Sequence, residues 1–205
     1  MARVTAERVE QTKRKLLEAA RKVLIEEGFS GLSTRHVAET ANTQMSQIQY
    51  HFGSKEGMIL ALFEYMNAAL VARQSVTFER RDLSLAQKWD LACDYLDEDL
   101  ASGYVRVLQE LIAAGWTNMA IGHAVRTALG KWRDLLNRLV REFETRHGNL
   151  GPFEAEDIAA LIGAVFIGSE AYILLGYEDD LHPTRQALRR FGKVIAYYEN
   201  QFAKE

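Results

Sequence analysis

The chain has 205 residues, 48% of them hydrophobic and 26% charged, with a formal net charge of −3. That length allows one or two domains around a sizeable core, and the apolar content is too high for a disordered chain. One cysteine, Cys93, excludes an intramolecular disulfide framework and any CxxC metal or redox motif. Taken whole, the mild acidity argues against a nucleic-acid partner, which usually meets a basic surface. The first fifteen residues are polar, so no signal peptide is expected.

Only two prolines, Pro152 and Pro183, interrupt the chain, and strand signals are nearly absent. The expected fold is all-α, with about nine helices. Leu16, Ala20, Val23 and Leu24 form the first helical stripe, and Gly28 suits its C′ position. Ser33 or Thr34 is placed to N-cap the second helix and Ser54 the fourth. Ser84 and Gln87 have capping-box spacing and open a helix carrying Leu85, Trp89, Ala92 and Leu96. A long stripe follows: Ile121, Val125, Leu129, Trp132, Leu136, Val140 and Phe143. Residues 148–152, GNLGP, are the clearest break. Pro183 suits the first turn of a last helix, roughly 183–202.

The informative segment is 34–52, TRHVAETANTQMSQIQYHF. Two short helices that cross steeply need a small residue at the contact, and Ala38 supplies it. The turn needs a residue that tolerates positive φ, and Asn42 does. Ile48 is the branched apolar residue that faces back into the core. This spacing is that of a helix-turn-helix. It leaves Met45, Ser46, Gln47, Gln49 and Tyr50 to project outward. A plain αα-hairpin shares the spacing, but this outward set lacks the Lys/Glu mixture of an ordinary solvated face. Glutamine pairs with adenine in the major groove, and tyrosine and histidine reach phosphate oxygens.

Charge is unevenly spread. Residues 1–57 carry nine Lys/Arg against seven Asp/Glu, a net +2; the remainder carries −5. The expected division is therefore a DNA-binding head, 1–57, and a helical body, 58–205. The basic arm (Arg3, Arg8, Lys13, Arg14, Lys15) reads either as a minor-groove contact or as a solvated face.

Over about residues 13–63 the sequence resembles the TetR family, the tetracycline-repressor-like regulators of bacteria. LLEAARKVLIEEGFSGLSTRHVAETA resembles the family's first two helices. QYHFGSKEGMILALF resembles its Tyr-His-Phe-x-Ser-Lys-Glu signature and the start of helix four. The resemblance implies phosphate contacts from Thr34 at the start of helix two. It places Arg35 to reach a phosphate or a groove edge. Gln47 and Gln49 fall at groove-facing positions of a recognition helix, 44–52, that also holds Gln44, Met45 and Ser46. Tyr50 and His51 match a pair that touches the DNA backbone, and Lys55 matches a phosphate clamp. Asn42, Thr43, Ser46 and Gln49 depart from the usual family residues, so no operator preference is implied.

The body is expected to bind a small effector and to dimerise. Residues 158–177, IAALIGAVFIGSEAYILLGY, hold one charge, Glu170. Acidic flanks and that inner glutamate argue against a membrane span. A soluble helix that is apolar all round buries two sides, one of them against a partner. Ala160, Ala164 and Gly168 on this helix, with Leu188, Phe191 and Ile195 on the last, are the expected two-fold interface. An apolar or aromatic effector is expected against Met66, Trp89, Cys93, Trp116 and Trp132, with Glu110, Glu170 and Tyr172 as polar anchors. Core packing is the ordinary reading of Met66, Trp89, Cys93, Trp116 and Trp132, and Glu170 could equally bind a backbone group or a partner across the dimer. No catalytic site, metal site or cofactor is expected. Glu144 and His147 have Glu-x-x-His spacing, but a di-iron site needs a second copy. The reading is a cytoplasmic, bacterial, dimeric repressor that binds a palindromic duplex and answers to a small molecule. The alternatives are a DNA-binding dimer without an effector, and a helical enzyme or adaptor that keeps the head as a structural unit.

Overall fold

The computed structural model describes residues 2–148, 151–177, 179 and 181–202, with side chains omitted for 2–6, 147 and 202. The Arg3 and His147 side chains, and Asn149 and Leu150 of the expected break, lie outside this description. Nine helices run through the described residues: α1 (Ala2–Gly31), α2 (Thr34–Thr40), α3 (Met45–Phe52), α4 (Lys55–Phe78), α5 (Leu85–Ala101), α6 (Tyr104–Gly115), α7 (Met119–His147), α8 (Ala155–Leu174) and α9 (Thr184–Phe202). The all-α expectation holds.

Two compact units form. The first comprises Met1–Ala69 and Ala101–Val125, and the second Leu70–Leu100 and Arg126–Glu205. The first is thus larger than the 1–57 head: it takes in α4 up to Ala69, α6 and the start of α7.

In the first unit Leu16, Ala20, Val23 and Leu24 are all buried, as their stripe requires. Gly28 leaves the helical region at φ 73, where a β-carbon would be strained, and α1 kinks there. Ser33 caps α2 by accepting from the His36 amide at 3.2 Å. The Ser54 hydroxyl accepts from the Gly57 amide at 2.9 Å and starts α4. Further along α4, Phe63 stacks on Tyr104 of α6 with ring centroids 5.8 Å apart. The Tyr104 hydroxyl donates to the buried Asn67 at 2.9 Å. This leaves the amide oxygen satisfied inside an apolar wall.

In the second unit Trp89, Cys93, Leu96, Phe166 and Leu188 form a core, with Trp132, Ile162 and Ile195 packed on it. Phe166 meets Trp89 at 5.4 Å and Trp132 at 5.9 Å, both edge-on. A second cluster joins Leu136 and Val140 of α7 to Ala155 and Ala159 of α8. The Ser84–Gln87 box forms: the Ser84 amide donates to Gln87 Oε1 and the Gln87 amide to Ser84 Oγ. Glu199 of α9 adds a cap from 114 and 113 residues away, accepting from the amides of Leu85 (2.6 Å) and Ala86 (3.0 Å) respectively. Lys88 is buried, and its ammonium donates to the Phe78 carbonyl at the end of α4 at 2.8 Å.

Candidate nucleic-acid interface

Asn42 joins α2 to α3 at φ 47, the one positive-φ residue other than glycine among the described residues. The amides of Asn42 and Thr43 donate to Glu39 and Ala38, each at 2.9 Å, and close α2 before the chain turns. Ala38 and Ile48 are 3% and 1% exposed, so the two helices meet where the spacing predicts. With Ile48 inward, Gln44, Met45, Ser46, Gln49 and Tyr50 stand exposed. Gln47 is half-buried, because it lies on the flank of α3 and not on its outer line.

A surface groove of about 190 Å³ gathers Thr34 from α2, Met45, Ser46, Ile48 and Gln49 from α3, and Ser54 and Lys55 at the start of α4. Five expected DNA-contact residues therefore share one concave surface. Gln44 precedes α3 without capping it; its side-chain oxygen accepts from the Ser46 hydroxyl at 3.4 Å instead. The first turn of α3 carries no acidic residue and no side-chain cap, so the positive end of its dipole favours an anion.

Arg35 is exposed and donates from Nε to Glu39 at 2.9 Å. That pair holds the guanidinium yet more firmly protonated. Burial pushes the His51 imidazole below its usual range, Lys13 pushes the same way, and Glu10 opposes. His51 is thus neutral at pH 7, with one N–H to donate. Tyr50 packs edge-on to His51 at 5.0 Å and remains 72% exposed. The assembled surface offers amides and hydroxyls for base edges, cations for phosphates, and Met45 and Tyr50 for apolar contact with bases or sugars.

The expected effector residues fall in both units. Met66 is buried in the first unit, whereas Glu110 and Trp116 are exposed there. Glu110 lies on the solvent side of α6, whose inner face is Val107, Leu108 and Leu111; Trp116 falls in the α6–α7 turn. Trp89, Cys93 and Trp132 fill the second core themselves. Glu170 is half-buried, and Tyr172 is exposed and packed edge-on to Tyr177. Burial pushes the Cys93 thiol up to about 11, which makes it unreactive.

A polar cluster in the second unit escaped sequence reasoning. Arg73 donates to Glu98 and to Asp99, each at 2.7 Å, and its guanidinium lies 4.4 Å from the centre of the Tyr95 ring. Tyr95 in turn shares a hydrogen bond with Thr77. Beside them Gln74 is buried, and its side-chain oxygen has no hydrogen-bond partner; nor has Arg73 Nε. The available signal was a run of polar residues, Arg73, Gln74 and Thr77, between apolar neighbours in α4.

On α8, Ala160, Leu161, Ala164 and Val165 are exposed and Gly168 is half-buried. The helix is long and apolar enough to cross a membrane by length and composition, yet its opposite side, Ala155, Ala159, Phe166 and Ser169, is buried in the unit. The expectation for α9 needs correcting. Leu188 is 5% exposed, and its carbonyl accepts from the Trp89 indole at 2.7 Å. Ile195 packs on the same core. A β-carbon on Gly192 would lie 3.1 Å from that indole, so the line 188–192–195 faces inward. Phe191, Val194 and Tyr198 form the exposed apolar line.

Residues 16–62 match the family model for bacterial regulatory proteins of the tetR family. The chain is 27% identical over 164 residues, 78% of each protein, to the HTH-type transcriptional regulator CymR of Pseudomonas putida. Among solved structures, a transcriptional regulator from Rhodococcus sp. Rha1 superposes with a TM-score of 0.72 at 24% identity. The match covers 89% of this chain and 95% of that one. A TetR transcription regulator from Haloarcula marismortui superposes with a TM-score of 0.74 at 14% identity, covering 91% and 97%.

Proposed function

From a chain that belongs to the TetR family of transcriptional regulators, we propose a dimeric repressor that docks α3 in the major groove and is released or engaged by a small effector. The observation that carries the DNA reading is the groove of Thr34, Met45, Ser46, Gln49 and Lys55, built on a turn that Asn42 closes at positive φ. Gln44, Gln49 and the half-buried Gln47 read bases; Arg35, Tyr50, His51 and Lys55 hold phosphates. Residues 1–57 are the segment that reads DNA, and the rest serves dimerisation and effector binding.

The interface comprises Ala160, Leu161, Ala164, Val165 and Gly168 of α8 with Phe191, Val194 and Tyr198 of α9. An exposed apolar face of this kind on two adjacent helices supports a four-helix contact about a two-fold axis. The effector contacts Arg73 and Gln74, whose buried atoms lack partners. This makes it a molecule with both an apolar body and hydrogen-bonding groups, more polar than the tryptophans suggested. The whole acts in the cytoplasm.

Selection of genomic fragments on the purified protein tests the reading. Recovery of a palindromic duplex, with affinity falling steeply as salt rises, supports it. Retention of no duplex at low salt refutes it and favours a helical adaptor. Native mass spectrometry tests the effector: co-purified small molecule supports it. If a ligand library also leaves the melting temperature unmoved, the effector-free dimer stands instead.

A further inference from the structure

We propose that Asn118, in the turn between α6 and α7, is a positioning residue for DNA binding that draws the Glu56 carboxylate away from the phosphate-facing end of α4. The inference rests on the DNA-binding reading above. Every polar group of Asn118 is engaged. Its amide donates to the Ala114 carbonyl at 3.0 Å, and its carbonyl accepts from Gly122 at 2.9 Å. Oδ1 accepts from the amides of Ala120 (3.0 Å) and Ile121 (3.2 Å), capping α7. Nδ2 donates to Glu56 Oε1 at 2.8 Å, across 62 residues of sequence. The corner that holds it is tight: a β-carbon on Gly115 would lie 3.0 Å from the Gly122 backbone. The side chain therefore has little freedom to follow Glu56, and Glu56 must come to it.

Glu56 needs such a restraint because of where it stands. It follows Lys55, which lines the groove with Thr34, Ser46 and Gln49. A free carboxylate at that place lies within a Debye length of any phosphate bound by Lys55 and repels it. Bonded to Asn118, the carboxylate sits instead at the N-terminus of α7, where the helix dipole offsets its charge. Because the same side chain caps α7, a change in the first turn of α7 reaches the DNA-facing end of α4 through one hydrogen bond.

Asn118→Ser separates these roles. Serine still caps a helix and leaves the net charge unchanged, but it is too short to reach Glu56. On a duplex recovered by wild-type selection, N118S should bind about two- to fivefold more weakly, with a salt slope shallower by up to about 0.9. In an E56A background the same substitution should change neither affinity nor slope. Wild-type affinity in N118S, or an equal loss in N118S/E56A, overturns the proposal. If the wild-type chain retains no duplex, the DNA reading fails by itself. The tie is then judged by amide exchange in the first turn of α4: faster exchange in N118S upholds it, and unchanged exchange overturns it.

Discussion

Ile48 and Gln49 are neighbours on α3 with opposite tasks, and substituting each to alanine separates folding from recognition. Ile48 is 1% exposed beneath the groove. Truncation to alanine removes three buried carbons and leaves a cavity, a change that costs about 2–5 kcal/mol. For a chain of this size each kcal/mol lowers the melting temperature by about 2–4 °C, so Ile48→Ala should melt about 4–20 °C below wild type. The Gln49 side chain is exposed, and the bond that closes α3 there uses its carbonyl, which accepts from the Gly53 amide at 3.0 Å, so Gln49→Ala should leave stability within about 0.5 kcal/mol. A bidentate glutamine–adenine contact discriminates by about 1–3 kcal/mol, so losing it should weaken specific binding about 5- to 150-fold. Calorimetry and fluorescence anisotropy on one selected duplex measure both quantities. Equal losses of binding in the two variants at equal melting temperature would refute the assignment of faces, as would full binding by Gln49→Ala.

Asn42→Gly should be tolerated, whereas Asn42→Ile, forced into the left-handed region, should lose about 1–2 kcal/mol in thermal unfolding. Val194→Asp should yield monomers by sedimentation with the head still folded; a stable dimer would move the interface elsewhere. Cys93 should resist alkylation at pH 8 until the protein unfolds. Its thiol titrates near 9.0 when unfolded and about 11 when folded. The unfolded chain therefore releases its proton first, and this group lowers stability as pH rises from about 9 to 11. The His51 shift runs the other way: below about pH 6.5 the unfolded chain binds the proton more readily, so stability falls on acidification, and His51→Asn should flatten that part of the profile.

Local chemistry was readable directly. Ser33, Asn42, Ser54 and the Ser84–Gln87 pair act through atoms within a few residues of themselves, so their spacing predicts their bonds. The outward face of α3 followed from one inward residue, Ile48. What failed depended on partners distant in sequence. Leu188, Phe191 and Ile195 read as one face in sequence, but α9 has two apolar lines, and Trp89 claims the line of Leu188 and Ile195. Trp89, Trp132 and Phe166 fill one another's space, a core packing that sequence alone does not distinguish from a pocket lining. The bond from Arg73 to Asp99 spans 26 residues, and that from Asn118 to Glu56 spans 62. Nothing in either residue's neighbourhood announces its partner.

The ion pair of Arg35 with Glu39 contributes little to the fold, since both side chains stand in water. Its consequence is a matter of search time and side-chain order. A free arginine visits many rotamers, and most of them point away from an approaching strand. Glu39, one turn on, holds the guanidinium through one hydrogen bond of 2.9 Å. In the DNA-binding role proposed for Arg35, an arriving phosphate need only displace a weakly held carboxylate, and it meets a guanidinium that has already given up part of its rotational freedom. In that role the pair is a holding contact, weak enough to yield and ordered enough to shorten the encounter.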